Sequence, residues 1–296
     1  MPEKDTLHRF LIEDTAVRGE WVHLDATFRA LCANADYPPP VLRLLGQALA
    51  ATALLTATLK FEGSLTLQIS GGHPVTLLVM QARANGSLRG LAHWDSEAEL
   101  PEQGDLFGPD AQLVMTLDPG QGRERYQGIV PLESGDLAKA LEGYFRQSEQ
   151  LPTRLWLACD GQAAAGLLLQ EMPRREDSAA PRDEDAWRRL EALTDTLDER
   201  ELLDLPVETL LRRLYHEEGV RLLEAEPVRF QCDCSAERVE AMIRGLGAEE
   251  ARDIVRREGG IEVHCEFCNA RYHYDAIDVD TLFREPASVT HPKGEH

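Results

Sequence analysis

Six cysteines occur in the 296 residues, and four of them fall in two tight pairs near the C-terminus. Cys232-Asp-Cys234 is followed, after thirty intervening residues, by Cys265-Glu-Phe-Cys268. Two close thiol pairs brought together across a loop can supply four sulfurs to one tetrahedral ion. Four thiolates around Zn²⁺ form the closed arrangement of a structural site. The C-x-x-C pair has the usual ligand spacing. The C-x-C pair is tighter, and the gap exceeds the common ribbon spacing of about 15–20 residues. Two other readings stand beside zinc. Buried core thiols suit single cysteines better than pairs, and Gln231, Asp233, Ser235, Glu266 and Asn269 make these surroundings polar. Two permanent disulfides need an oxidising compartment.

A module of about 60–70 residues has a thin core and typically needs a staple. Structural zinc contributes on the order of 10–16 kcal/mol to folding in small peptides, as much as a whole domain's net stability of about 5–15 kcal/mol. Oxidation is one way to lose it, because thiolates are the oxidisable form of cysteine and close pairs convert to disulfides. Cys265 and Cys268 have ordinary spacing for a bridge. Cys232 and Cys234 would close a very small, strained ring that forms later and reduces more easily. The module is chemically capable of switching with redox state, and equally of being permanently structural.

The rest of the chain must position these groups. Residues 7–12 and 17–24 read as strands joined near Gly19. Asp25 reads as the N-cap of a helix carrying Phe28, Leu31 and Cys32. Pro38-Pro-Pro40 opens a helix over residues 41–60 that is apolar nearly all round and therefore central. Its uncharged run, 44–59, is sixteen residues with Gln47 and three threonines, short of the ~20 of a membrane span. Period-two patterns at 65–69, 75–80, 88–94, 113–117 and 126–130 predict strands in a mostly antiparallel sheet. Gly71-Gly72 and Gly120-Gln-Gly122 read as turns rather than phosphate loops. Helical spacing returns over 134–150, and 155–158 with 166–172 reads as a last hairpin. Residues 1–173 form an α+β core domain on this reading.

At Pro173 the composition shifts: sixteen of the twenty-eight residues from Arg174 to Glu201 are charged, and Pro181 interrupts. Trp187, Leu190, Leu193 and Leu197, then Leu205, Leu210, Leu211 and Leu214, keep an amphipathic helical stripe. Such a segment is weak alone and needs a surface to lie on. Residues 174–231 are thus a charged helical linker, either a solvated connector or an element docked in one state and released in another. Residues 232–296 are the cysteine module. Val228–Gln231 reads as a strand, Ser235 caps a helix to Met242, and a second helix covers 248–258. A hairpin of 261–264 and 271–274 surrounds Cys265 and Cys268, a helix follows at 279–284, and a frayed tail begins at Pro286.

The net charge of −21 disfavours nucleic acid and anionic membranes, which want basic patches. No export signal is visible at the N-terminus, so the cytosol is expected. No Ser/His/Asp or Cys/His set stands out, and no enzyme activity is expected. A thiol–disulfide oxidoreductase would place its C-x-x-C at a helix N-terminus in a βαβ context, and here the motif sits in a hairpin. A zinc-stabilised nucleic-acid-binding or translation-associated protein is the alternative that the charge disfavours.

Beyond the cysteine pairs, the chain resembles the heat-shock protein 33 family (33 kDa chaperonins) over nearly its whole length. The resemblance is carried by Leu7-His-Arg, Ala16-Val-Arg-Gly-Glu20, Leu54-Leu-Thr-Ala-Thr-Leu-Lys-Phe61, Arg125-Tyr-Gln-Gly128, Ser148-Glu-Gln-Leu-Pro-Thr-Arg154 and Arg213-Leu-Tyr-His-Glu-Glu218. It implies a redox-regulated, ATP-independent holdase, inactive while Cys232, Cys234, Cys265 and Cys268 hold one Zn²⁺. It implies that oxidant and unfolding stress join Cys265 to Cys268 and Cys232 to Cys234, expel zinc and unfold the linker. It further implies that the active form is a homodimer binding unfolded client proteins until ATP-dependent chaperones accept them. Cys32 and Cys159 match no family motif and are expected in the core, and the client-binding surface is left unknown.

Overall fold

The computed structural model describes residues 4–33, 35–58, 63–102, 104–120, 123–132, 135–173, 183 and 185–284. The charged start of the linker at 174–182 with Pro181, the end of the central helix at 59–60, the turn at 121–122 and the tail from 286 lie outside those residues. The chain divides into two compact units, Met1–Gln231 and Cys232–His296.

In the first unit, strands β1 (Thr6–Ile12) and β2 (Val17–Leu24) lead into the short helix α1 (Ala26–Cys32) and the long helix α2 (Pro39–Thr58). Next come β3 (Ser64–Ser70), β4 (Val75–Arg83), β5 (Ser87–Trp94), β6 (Gln112–Asp118) and β7 (Tyr126–Pro131). Helix α3 (Leu137–Tyr144) runs into a π-helical turn at Phe145–Glu149, and β8 (Thr153–Cys159) and β9 (Ala164–Glu171) follow. Among the described residues the linker carries three short helices: α4 (Ala186–Thr194), α5 (Glu199–Asp204) and α6 (Val207–Tyr215). The unit ends with β10 (Val220–Leu222), β11 (Glu226–Pro227) and β12 (Arg229–Phe230).

The strands form two sheets rather than one. Sheet A has the order β10-β1-β2-β9-β8, with β11 also pairing β1, and sheet B has β12-β5-β4-β3-β6-β7. Every pairing in them is antiparallel except β12 with β5. Helix α2 lies between the sheets. Its Leu45, Leu49 and Leu54 share one core with Val22, Leu24 and Leu168 of sheet A and with Leu67, Ile69, Leu78 and Leu113 of sheet B. Burial all round is what an all-apolar helix requires. At twenty residues α2 is long and apolar enough to cross a membrane by length and composition, but most of it is buried in this core. Cys159 is buried in the same core and Cys32 packs against it, where burial pushes both thiols up to about 12. Gly46 of α2 is what lets Cys159 fit: a Cβ there would sit 2.3 Å from its sulfur.

The start of α1 differs from expectation. Asp25 makes no capping bond with its side chain. Asp5 instead accepts from the backbone amides of Asp25, Ala26 and Thr27 at 3.1, 3.0 and 2.7 Å. Asp25 turns to Lys4 and Arg29, which hold its carboxyl below the usual range, the Lys4 hydrogen bond most of all. The orphan amides of a helix start need an acceptor, and here it comes from twenty residues upstream.

Because strand side chains alternate, sheet A has a second face. Phe10, Ile12, Val17, Trp21, Leu167 and Leu169 point away from α2 and form a second core with Leu190, Leu202, Val207, Leu210, Leu211, Leu214 and Tyr215 of α4–α6. The linker stripe is therefore docked on the sheet in this structure. With both faces covered, β9 is buried along its length save its last residue. Arg154 of β8 ties α4 down: its guanidinium pairs with Glu191, with Asp195 at 3.0 Å and with Glu142 of α3 at 3.1 Å.

The second unit contains α7 (Ala236–Leu246), α8 (Ala248–Glu258), the hairpin β13 (Ile261–His264) with β14 (Arg271–Tyr274), and α9 (Ala276–Leu282). Helix α9 begins three residues before the helix expected at 279, because Asp275 and Asp278 make a capping box there. The core of this unit is small: Val239, Ile243, Ala251, Ile261, Tyr274 and Val279 are its buried side chains among the described residues.

Candidate metal centre

Each cysteine pair sits where backbone geometry is fixed by neighbours. Cys232 and Cys234 precede α7, whose N-cap Ser235 accepts from the Arg238 amide at 3.4 Å. Cys265 and Cys268 occupy the turn between β13 and β14. That turn is closed by the Asn269 amide donating to the Cys265 carbonyl at 2.7 Å and the Cys265 amide donating to the Ala270 carbonyl at 2.9 Å. Asn269 has φ of 56°, the left-handed conformation that asparagine tolerates better than most residues.

The four sulfurs converge, all within 4.8 Å of one another and partly buried. Cys232 and Cys265 are 3.5 Å apart, and Cys234 and Cys268 are 3.2 Å apart. Four sulfurs at the usual zinc–sulfur distance of about 2.3 Å have edges of about 3.8 Å. These two separations fall slightly short of that value and all six lie within 4.8 Å, and the all-sulfur donor set is the one zinc takes in closed sites. The residues fit a tetrahedral ion. Both of these sulfur contacts join one motif to the other.

The thiols are not equivalent. Burial opposes ionisation at Cys234, but hydrogen bonds from Tyr272 and the other three cysteines outweigh it and bring this thiol down to about 7. Cys232 is pushed up, chiefly by burial, and Cys268 is pushed up by burial and by its hydrogen bond to Cys234. One sulfur thus gathers negative charge while its neighbours donate to it. An incoming cation must displace the remaining protons, so its affinity falls as pH falls. Tyr272, whose hydroxyl is pushed up to about 12 by Cys234, was not among the residues singled out in the sequence. Its only sequence signal is an aromatic residue with a polar tip on the strand leaving the second cysteine pair.

Fold and cluster together define a two-unit α+β protein whose small C-terminal unit gathers four cysteines able to hold a metal ion. The family model described as "Hsp33 protein" matches residues 5–275. Curated relatives include a 33 kDa chaperonin of Methylobacillus flagellatus, 45% identical over 284 residues and covering 96% of each chain. Another is the 33 kDa chaperonin of Nitrosococcus oceani, 47% identical over 285 residues with the same coverage. The crystal structure of a 33 kDa chaperonin from Thermotoga maritima superposes with a TM-score of 0.80 at 24% identity, covering 94% of this chain and 97% of that one. The chain belongs to the Hsp33 chaperone family.

Proposed function

We propose that the chain is a redox-gated, ATP-independent holdase. In the closed state Cys232, Cys234, Cys265 and Cys268 hold one Zn²⁺, while α4–α6 cover the apolar face of sheet A. The bound ion would serve as a redox-inert staple for the module. The oxidant is a two-electron acceptor of the peroxide class. Cys265 and Cys268 form one S–S bond and Cys232 and Cys234 a second; each thiolate pair gives up two electrons to one peroxide, which takes up two protons from solvent and becomes two waters, so two peroxides are consumed, and the ion leaves for solvent. Every disulfide removes two thiolate ligands. The remaining core of six buried side chains is too thin to keep the module folded.

Unfolding then spreads backward along the chain. The segment just before Cys232 is held by β10, β11 and β12, strands of only three, two and two residues. Their loss frees α4–α6, which are too short to persist undocked. Sheet A is left with Phe10, Ile12, Trp21, Leu167 and Leu169 facing water. Residues 1–173 act as the core, 174–231 as the conditional linker and 232–296 as the switch. Unfolding proteins bind the uncovered surface in the cytosol, the oxidised chain pairs as a homodimer, and clients pass on to ATP-dependent chaperones.

The observation that carries this reading is a covered apolar sheet face joined, through short strands, to four clustered sulfurs. Light scattering of a heat-unfolded client tests it, with the protein reduced and zinc-loaded or pretreated with peroxide at mild heat. Suppression by the oxidised sample alone, lost in Cys268→Ser, is expected. Equal behaviour in both states reduces the cluster to a permanent structural site.

A further inference from the structure

Within the gating role proposed above, the groups trapped beneath α4–α6 decide when these helices leave. Two of them are histidines beside a buried tryptophan. His23 is 3% exposed, His8 5% and Trp21 fully buried. The His23 and Trp21 rings stack with centroids 6.0 Å apart, and the His8 ring lies 5.8 Å from Trp21.

His23 reaches the linker itself. Its Nε2 is 3.1 Å from the carbonyl oxygen of Leu203 in α5. A carbonyl only accepts, so Nε2 carries the proton and Nδ1 is the bare nitrogen of a neutral ring. Nδ1 is buried and has no hydrogen-bond partner. The neutral ring suits this place. A second proton would put a charge and an unmatched N–H donor into apolar surroundings, which is costly. Undocking α5 gives that N–H water.

The charged neighbours do not cancel this. From the β1 side come Lys4, Asp5 and His8, and from the end of β2 comes Asp25. Asp5 is engaged with the α1 amides, and Asp25 with Lys4 and Arg29. On α5, Arg200 pairs with Asp204 at 3.8 Å, Glu201 pairs with Arg213 at 2.8 Å, and Glu199 is exposed. Across β9, the register partner of His23 is Ala165, which brings no charge. Burial, the largest influence, holds the imidazole below its ordinary 6.5, against the pull of the Leu203 hydrogen bond, Asp25 and Asp5.

We propose that His23 is an acid-sensitive release for the linker, so that mild acid loosens α5 from sheet A without oxidation of any cysteine. The sign follows from linkage. A histidine depressed in the docked state stabilises docking fully above the ordinary imidazole range, and that contribution is lost as pH falls through its docked-state value.

Hydrogen exchange of amides 199–215 in the reduced, zinc-loaded protein tests this between about pH 7.5 and about pH 5.5. After correction for the intrinsic rate, opening in the wild type should increase, by at most about tenfold per pH unit for one proton. His23→Gln keeps a donor for Leu203 without titrating, and its opening should stay flat. Zinc content is measured in the same samples, and acid loss of the ion would affect wild type and variant alike. A wild type with no response, an equal response in His23→Gln, or a flat response in His8→Gln alone overturns the proposal. As a check needing no variant, the His23 ring proton followed by NMR must titrate with the midpoint of opening, and separate midpoints overturn it too. The readout is docking and not client binding, so acid loosening in a protein that never holds clients would sink the holdase reading and leave this release standing.

Discussion

Leu210→Ala should turn the reduced protein into a partly open one. Leu210 is fully buried in α6, within the core that α4–α6 share with sheet A. Removing a buried leucine side chain typically costs about 2–5 kcal/mol, depending on how far the cavity collapses. The docked helices are short and share their burial cooperatively, so most of this cost falls on docking. At about 1.4 kcal/mol per tenfold, a central cost of about 3 kcal/mol raises the open population roughly a hundredfold. Hydrogen exchange of 186–215 would show that change directly, and client light scattering would show reduced, zinc-loaded Leu210→Ala suppressing aggregation without peroxide. The strands of sheet B provide the internal control, since they share no core with Leu210. Exchange in 186–215 unchanged from wild type, with Leu210→Ala folded, would refute the idea that this contact holds the gate. Faster exchange without client binding would show that the uncovered face is not the holding surface.

Other outcomes follow from the same geometry. Chelation of the metal, or Cys265→Ser with Cys268→Ser, should abolish exchange protection in 236–282 while the β3–β6 strands keep theirs, measured by mass spectrometry. Arg154→Gln removes the pairs to Glu191 and Asp195; these are part-exposed, so each should contribute at most about 1 kcal/mol. Salt titration of α4 exchange should show a dependence in wild type that is weaker in this variant. Glu20 is raised to about 7, chiefly by burial, with Arg18 and Arg9 opposing. A raised carboxyl favours folding below its ordinary 4.5 and loses that contribution as pH rises through about 7. Glu20→Gln should therefore raise Tm at about pH 8 more than at about pH 5, by ~2–4 °C per kcal/mol recovered. Cys159, buried, and Cys32, half-buried, are both pushed up to about 12 and should resist alkylation in the native chain while the other four thiols label once metal is removed, counted by intact mass.

Local chemistry was legible in the sequence wherever it repeats or pairs. The cysteine motifs named the cluster, period-two runs named β3 to β7, the apolar runs at 155–158 and 166–172 named the β8–β9 hairpin, and an all-apolar stretch named α2. The split into two sheets was not legible, because alternation gives the faces of a strand but not its neighbours. Strands β10 and β11 are too short for any period to appear, and each exists only because a distant edge offers partners; β12 lies within the strand read at 228–231, but its pairing with β5 could not be read. The α1 cap failed for a related reason: a local rule nominated Asp25, and Asp5 arrived through the hairpin. One signal for docking was present and unused. The run Ala164 to Leu169 carries no polar alternation, as a strand covered on both faces should not.

The order of these parts along the chain has a consequence during synthesis. When a ribosome has added residue 173, β1 to β9 exist but their lid and three edge strands do not. At about 5–20 residues per second, the next 58 residues, 174–231, take roughly 3–12 s. For those seconds the nascent protein shows the bare face of sheet A and the open edges of β1 and β5. Every molecule therefore passes through the uncovered form once, in the absence of any oxidant, and must be kept from its neighbours on the polysome until its own lid and edge strands arrive.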